Sequence, residues 1–80
     1  MRLDKYLKLS RIIKRRTVAN DACDAGRVSI NGKPAKAGAE VKPGDVVEIR
    51  FGNALTRVEV LALMENPRKE EAGLMYKSLE

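Results

Sequence analysis

The spacing of apolar residues changes at Gly26, and this change limits the folds that the chain can adopt. Before Gly26, apolar residues recur three and four positions apart, as Leu3, Tyr6 and Leu7 do, which places them on one face of a helix. After Gly26, apolar and polar residues alternate, beginning at Val28, and alternation is typical of a half-buried strand. The chain is therefore predicted to form helices first and an antiparallel sheet afterwards, which is an α+β fold.

The second of two predicted N-terminal helices has the clearer boundaries. It runs from about Arg16 to Ala25, because Val18, Ala22 and Ala25 recur at helical spacing and define its apolar side. Gly26 suits the left-handed position that follows many helices. Free amide groups at the start of this helix would lie beside a basic run, so the junction between the helices is a candidate site for a phosphate.

Turn signals divide the remainder of the chain into strands at Asn31-Gly32, Pro43-Gly44 and Gly52-Asn53. In the strand before the last of these turns, three apolar residues are spaced to face one side, namely Val47, Ile49 and Phe51. Asn66-Pro67 then resembles the start of a C-terminal helix that extends to about residue 80. Its predicted apolar face contains Ala72, Met75, Tyr76 and Leu79.

The predicted architecture is one domain over residues 1–80, with two N-terminal helices packed on a small, curled antiparallel sheet and a C-terminal helix. A chain of 80 residues buries only about 60% of its unfolded surface, so a single modest core is expected. The core unit covers residues 1 to about 51. A second hairpin and the C-terminal helix occupy residues 52–80.

Positive charge is concentrated at one end of the chain. The first sixteen residues contain seven basic side chains and one acid, whereas the whole chain has a net charge of +5 and the other sixty-four residues a net charge of −1. A local positive field attracts a polyanion better than the same charge spread evenly. The predicted RNA-contacting residues are Arg2, Lys5, Lys8, Arg11, Lys14, Arg15 and Arg16, with Lys33 and Lys36 on the first hairpin.

Composition excludes several other functions. The chain has one cysteine and no histidine, which rules out a disulfide framework, a multi-cysteine metal site and imidazole catalysis. Three aromatic residues are too few for a base-stacking surface, so contact with phosphates and RNA shape is favoured. There is no signal peptide or membrane-spanning run, and we expect a cytoplasmic, non-enzymatic protein without a cofactor or metal.

Two residues have competing interpretations. Asp4 lies one turn before Lys8 and could stabilise its helix through that pair, or it could orient Arg2 or Lys8 for RNA. Cys23 lies on the apolar side of the second helix, where it is predicted to be a small core residue and not a nucleophile.

The N-terminal half also resembles a known family. The run RLDKYLKLSRIIKRRTVANDACDAGRVSINGKPAK contains an R-L-D-x-x-L opening and an A-G-R-V-x-I-N-G junction between helix and hairpin. These features resemble the RNA-binding domain named after ribosomal protein S4, over residues 1 to about 51. The arrangement of the whole chain is similar to the stand-alone bacterial members that act in ribosome-associated quality control, and to the related fifteen-kilodalton heat-shock ribosome-binding proteins.

This resemblance implies a fold and a set of partners. The first helix and the start of the second would face structured RNA, and the partners would be rRNA of the large ribosomal subunit and peptidyl-tRNA. A protein factor that tails the nascent chain without a template would act alongside. No membrane partner is expected, and the protein is expected to be a monomer.

Several alternatives stay open at this point. The resemblance does not separate a role in nascent-chain tailing from a recycling role of the heat-shock type. A general DNA-binding protein would also carry a basic surface, although no helix-turn-helix accompanies the charge here. A membrane-surface helix ranks lowest, because the apolar face of residues 3–13 is needed by the core. Catalysis would require a partner chain, because no nucleophile–base pair is present.

Overall fold

The computed structural model describes residues 1–79 and has the predicted α+β architecture. Two α-helices come first in the chain and pack against a sheet of five strands. One 3₁₀ helix precedes the last strand. The longest α-helix among the described residues has nine residues, about half of what a bilayer-spanning helix needs. In chain order the elements are α1 (Leu3–Leu9), α2 (Arg16–Asp24), β1 (Val28–Ile30), β2 (Lys33–Pro34), β3 (Val46–Phe51), β4 (Ala54–Val60), the 3₁₀ helix (Lys69–Leu74) and β5 (Tyr76–Ser78).

The sheet has the strand order β2-β1-β3-β4-β5, and all neighbouring strands are antiparallel. Asn31 and Gly32 join β1 to β2 with φ angles of 52° and 84°. Positive φ at both central residues gives the turn a twist that matches the strands, and Asn and Gly tolerate this conformation best. The predicted Asn31-Gly32 turn is therefore confirmed.

The core lies between the helices and one face of the sheet. Tyr6 is fully buried and its hydroxyl donates a hydrogen bond to the Met75 carbonyl oxygen at 2.8 Å, which joins α1 to the C-terminal segment. Burial of the hydroxyl raises the pKa of Tyr6. The other large buried residues include Leu3, Leu7, Val28, Val41, Val47, Ile49, Val58 and Val60.

The predicted C-terminal helix was wrong. The 3₁₀ helix begins after Arg68, whose amide donates to the Glu71 carboxylate at 2.9 Å, and it ends at Leu74. The chain then forms β5, which pairs with β4. Sheet pairing satisfies backbone groups that β4 would otherwise expose along its edge, and this tertiary gain prevails over the local helix signal at Asn66-Pro67.

Three residues predicted to face the core lie at the surface. Val18 is 43% exposed and Phe51 39% exposed, and Ala25 is exposed as well. The buried stripe of α2 consists of Ala19, Ala22 and Cys23, so Val18 falls at its edge. Phe51 is the last residue of β3 and lines a surface cleft together with Val18 and Ala25. Leu79 of the predicted C-terminal face is also exposed, whereas Met75 is buried.

Cys23 is fully buried, as predicted, and burial raises its thiol pKa to about 11. A thiol with this pKa is almost entirely protonated at neutral pH and behaves as a small apolar group. Cys23→Ala is therefore expected to preserve RNA binding and to lower the free energy of unfolding by about 1 kcal/mol. Urea denaturation and a binding titration measure the two effects, and a folded variant that no longer binds RNA would contradict this assignment.

Candidate nucleic-acid interface

A buried carboxylate organises the two arginines at the start of the helices. The side chain of Asp4 is only 3% exposed, and it accepts hydrogen bonds from Arg2 Nε at 3.1 Å and Arg2 Nη2 at 3.3 Å. It also accepts from Arg16 Nε at 3.4 Å and Asn20 Nδ2 at 3.3 Å. The backbone amide of Lys5 donates to the same carboxylate at 2.8 Å. Asp4 therefore joins Arg16, the first residue of α2, to Arg2, which precedes α1. We refer to Asp4, Arg2, Arg16 and Asn20 as the Asp4 cluster.

The charge state of Asp4 follows from these contacts. Burial alone would raise the pKa of this carboxyl, but the hydrogen bonds from Arg2, Asn20 and the Lys5 amide, together with the charge of Arg16, hold it below its ordinary value. Asp4 is thus ionised at neutral pH. The guanidinium groups of Arg2 and Arg16 keep about half of their side-chain surface exposed, so both can still donate to a phosphate.

These contacts decide between the two interpretations of Asp4. The structure supports orientation of an arginine, because Asp4 bonds Arg2 directly and Arg16 as well. The pair with Lys8 is not among the ion pairs of residues 1–79, so the predicted stabilisation through Lys8 was wrong. The contribution of Arg16 comes from a second helix and has no local signal in the sequence.

Three further predicted residues surround one cavity after α1. Lys8, Arg11 and Lys14 line a cavity of about 200 Å³ together with Leu9 and Pro67. Arg11 has a φ of 63°, a left-handed conformation that is unusual for a residue other than glycine. This conformation ends α1 and turns the chain so that Lys14 returns toward Lys8. All three cations are exposed and carry no ion pair among residues 1–79.

α2 begins at Arg16, as the spacing predicted. Arg15 occupies the N-cap position and makes no side-chain capping bond, and Thr17, the natural capping residue type, is the second residue of the helix. Arg15 is exposed at the junction. The phosphate expected at this junction stays a prediction.

Residues 37–39, which follow the first hairpin, lie close to the start of α1. The amide of Leu3 donates to the Ala39 carbonyl at 2.8 Å, and the amide of Asp4 donates to the Ala37 carbonyl at 3.1 Å. Lys36 directly precedes this segment and is exposed, whereas Lys33 lies on β2 at the edge of the sheet. The backbone contacts therefore bring Lys36 near the Asp4 cluster and leave Lys33 farther along the hairpin.

Lys5 is paired with an acid outside the Asp4 cluster. Its Nζ atom lies 2.6 Å from Glu65 Oε1, and this contact lowers the pKa of Glu65. The pair is solvent-exposed, so a phosphate could compete for the ammonium group at little cost. Sequence reasoning missed both this acid and Asn20, although Asn20 lies one helical turn after Arg16 and could have been placed on the same face.

Comparisons with known proteins agree with this geometry. The family model described as S4 domain matches residues 1–47. The chain is 55% identical over 80 residues to the RQC P-site tRNA stabilizing factor of Bacillus subtilis (strain 168), and the match covers 100% of this chain and 93% of that protein. It is 33% identical over 81 residues to the heat shock protein 15 homolog of Haemophilus influenzae, covering 100% of this chain and 62% of that one.

A solved structure supports the same assignment. The trimeric structure of heat shock protein 15 from Vibrio cholerae superposes with a TM-score of 0.89 at 29% identity, and the match covers 98% of this chain and 80% of that chain. The Asp4 cluster, the basic residues around it and the five-stranded sheet all lie within the matched region. The chain therefore belongs to the S4-domain family, within the group whose bacterial relatives are named RQC P-site tRNA stabilizing factor.

Proposed function

We propose that this protein binds the large ribosomal subunit that carries a stalled peptidyl-tRNA and stabilises that tRNA during ribosome-associated quality control. The full-length identity of 55% to a protein named for P-site tRNA stabilisation supports this function. In this role the protein contacts rRNA and tRNA while a second protein factor extends the nascent chain without a template. The protein itself performs no chemistry.

The observation that carries the proposal is the pair of arginines held by Asp4. Arg2 and Arg16 come from different helices, yet one buried carboxylate holds both guanidinium groups within hydrogen-bond distance. Arginines that are already ordered lose little side-chain entropy when they bind a phosphate. The pair therefore presents a rigid donor surface of the kind that recognises the backbone of a folded RNA.

The cations form two groups, which would allow one protein to contact two RNAs at once. We call this arrangement a clamp. Arg2 and Arg16 form one group at the start of the helices, and Lys8, Arg11 and Lys14 form another around the cavity after α1. If one group contacts rRNA and the other contacts tRNA, the second contact is intramolecular. Two weak contacts then give tight joint binding without any additional interaction.

The clamp predicts a large difference between two forms of the subunit. Affinity for large subunits that bear peptidyl-tRNA is expected to exceed affinity for empty large subunits by about 100-fold, within the range that linked binding provides. Equilibrium binding of labelled protein to both purified forms measures the difference. Equal affinities would contradict the clamp, whereas binding to rRNA alone would still be supported.

A recycling role of the heat-shock type is the second candidate. The 33% identity to the heat shock protein 15 homolog and the close superposition on the Vibrio cholerae protein favour it. The two roles differ in their product, because tailing lengthens the nascent chain and recycling frees the subunit. A reconstituted reaction with stalled subunits and a tailing factor separates them by the length of the peptide on the tRNA.

A further inference from the structure

The outer face of the sheet carries a second group of cations, far from the Asp4 cluster. Arg27 follows Gly26 at the end of α2, and Arg50 lies in β3. The Arg50 amide donates to the Arg27 carbonyl at 2.8 Å, which fixes the two residues side by side. Both side chains are exposed, and both line a cleft of about 300 Å³ beside the first hairpin.

The cleft retains a positive charge. Among residues 1–79, no carboxylate lies within the 4.0 Å ion-pair distance of Arg27 or Arg50. Glu48 also lines the cleft, but its Oε2 atom lies 3.8 Å from Arg57 Nε on the adjacent strand, so its charge is balanced there. The cleft therefore holds two guanidinium groups against one carboxylate, which is itself paired with Arg57, and this excess of positive charge favours an anion.

The position of the cleft separates it from the first RNA-binding group. Arg16 begins α2 and Arg27 follows its end, and a helix of nine residues measures about 12 Å between its first and last residues. The cleft also opens on the face of the sheet opposite to the buried Val47 and Ile49, whereas Arg16 lies on α2 beside Asp4, so one phosphate does not contact both groups. An anion in the cleft would therefore belong to a different part of the bound RNA, or to a second RNA.

We propose that Arg27 and Arg50 form a second phosphate-binding site on the sheet, which takes an RNA backbone phosphate while the N-terminal residues hold another part of the RNA. This inference rests on the proposed function, because it assumes that the protein is seated on ribosomal RNA. The phosphate could come from rRNA or from tRNA, and both present the same chemistry to the cleft.

The test compares five forms of the full-length protein: wild type, Arg27→Gln with Arg50→Gln, Arg27→Lys with Arg50→Lys, Lys77→Gln and Arg16→Ala. Lys77 is the control for loss of charge, because it is exposed on the same face of the sheet but lies in the edge strand β5, two strands away from β3. Binding to empty large subunits, to subunits bearing peptidyl-tRNA and to tRNA alone is measured over a range of salt concentrations. Thermal melting verifies that each variant is folded.

The double glutamine variant is expected to bind at least tenfold more weakly at low salt, since charged hydrogen bonds to phosphate are lost. Its slope of log affinity against log salt should decrease in magnitude by about 1–2, because each phosphate contact contributes about 0.7–0.9. The double lysine variant should keep most of this salt dependence, and Lys77→Gln should bind like wild type. A loss of affinity for empty subunits would identify rRNA as the source of the phosphate. A loss of affinity only for subunits that bear peptidyl-tRNA, or for tRNA alone, would identify tRNA.

Other outcomes separate this site from the proposed function. Unchanged affinity and slope in the double glutamine variant, with binding lost in Arg16→Ala, would overturn the second site and leave the proposed function intact. Unchanged binding in both variants would overturn both. A defect of the double glutamine variant that appears only when another protein is added would assign the cleft to a protein partner and overturn the RNA site.

Discussion

Asp4→Asn is expected to weaken binding to large ribosomal subunits by about 1–3 kcal/mol, even though it raises the net charge of +5 by one unit. Without the carboxylate, Arg2 and Arg16 lose the partner that orders them, and ordering each long side chain on binding costs about 0.5–1.5 kcal/mol. If net charge alone determined affinity, the same variant would bind more tightly. The sign of the change therefore distinguishes orientation from charge.

Glu65→Gln is the matched control for this variant. It also removes one carboxylate beside α1, but Glu65 is exposed and is hydrogen-bonded to the flexible Lys5 side chain. Its affinity should equal or slightly exceed that of wild type, because it frees the Lys5 ammonium group for phosphate. A loss of affinity in both variants would show that the Asp4 effect is not specific to the two arginines.

Asp4→Asn should also destabilise the fold by about 1–3 kcal/mol at neutral pH, because hydrogen bonds to a charged group are replaced by neutral ones. The pKa of Asp4 is lower in the folded chain than its ordinary value of 3.8, so the ionised carboxylate stabilises the fold above that pH. This contribution is lost as the pH falls through the folded pKa. Urea denaturation from pH 7 to pH 2 should show a smaller acid dependence for the variant than for wild type.

Local signals predicted the N-terminal half of the fold. The helix from Arg16, its end at Gly26 and the turn at Asn31-Gly32 are all confirmed, because each depends on neighbouring residues alone. The C-terminal strand could not be found in this way. β5 forms because β4 has an edge to pair with, and the pairing of Val60 with Tyr76 joins residues that are separated by a loop and the 3₁₀ helix.

The candidate site was predicted as a set of charges but not as an arrangement. The concentration of charge in the first sixteen residues grouped Arg2 with Arg16, yet it could not show that Asp4 is buried between them. Arg27 and Arg50 were missed because they are far apart in a sequence whose C-terminal part has little net charge. The backbone bond between β3 and the end of α2 is what brings them together.

Arg16→Ala is expected to weaken binding to large subunits by about 1–3 kcal/mol, the value of charged hydrogen bonds from one guanidinium group. Arg16 begins α2, bonds Asp4 and leaves half of its side chain open to RNA, so its removal deletes a donor and disturbs the order of Arg2. The free energy of unfolding of this variant should change less than its affinity for large subunits, because the Arg16 side chain is exposed.

Arg57→Ala tests whether this loss depends on position. Both variants remove one positive charge, but Arg57 lies on the sheet face and is paired with Glu48, so its affinity should stay within about 0.5 kcal/mol of wild type. Binding titrations at one low salt concentration compare the two directly. Equal losses would mean that overall charge attracts the RNA, whereas a loss confined to Arg16→Ala places the RNA backbone against the Asp4 cluster.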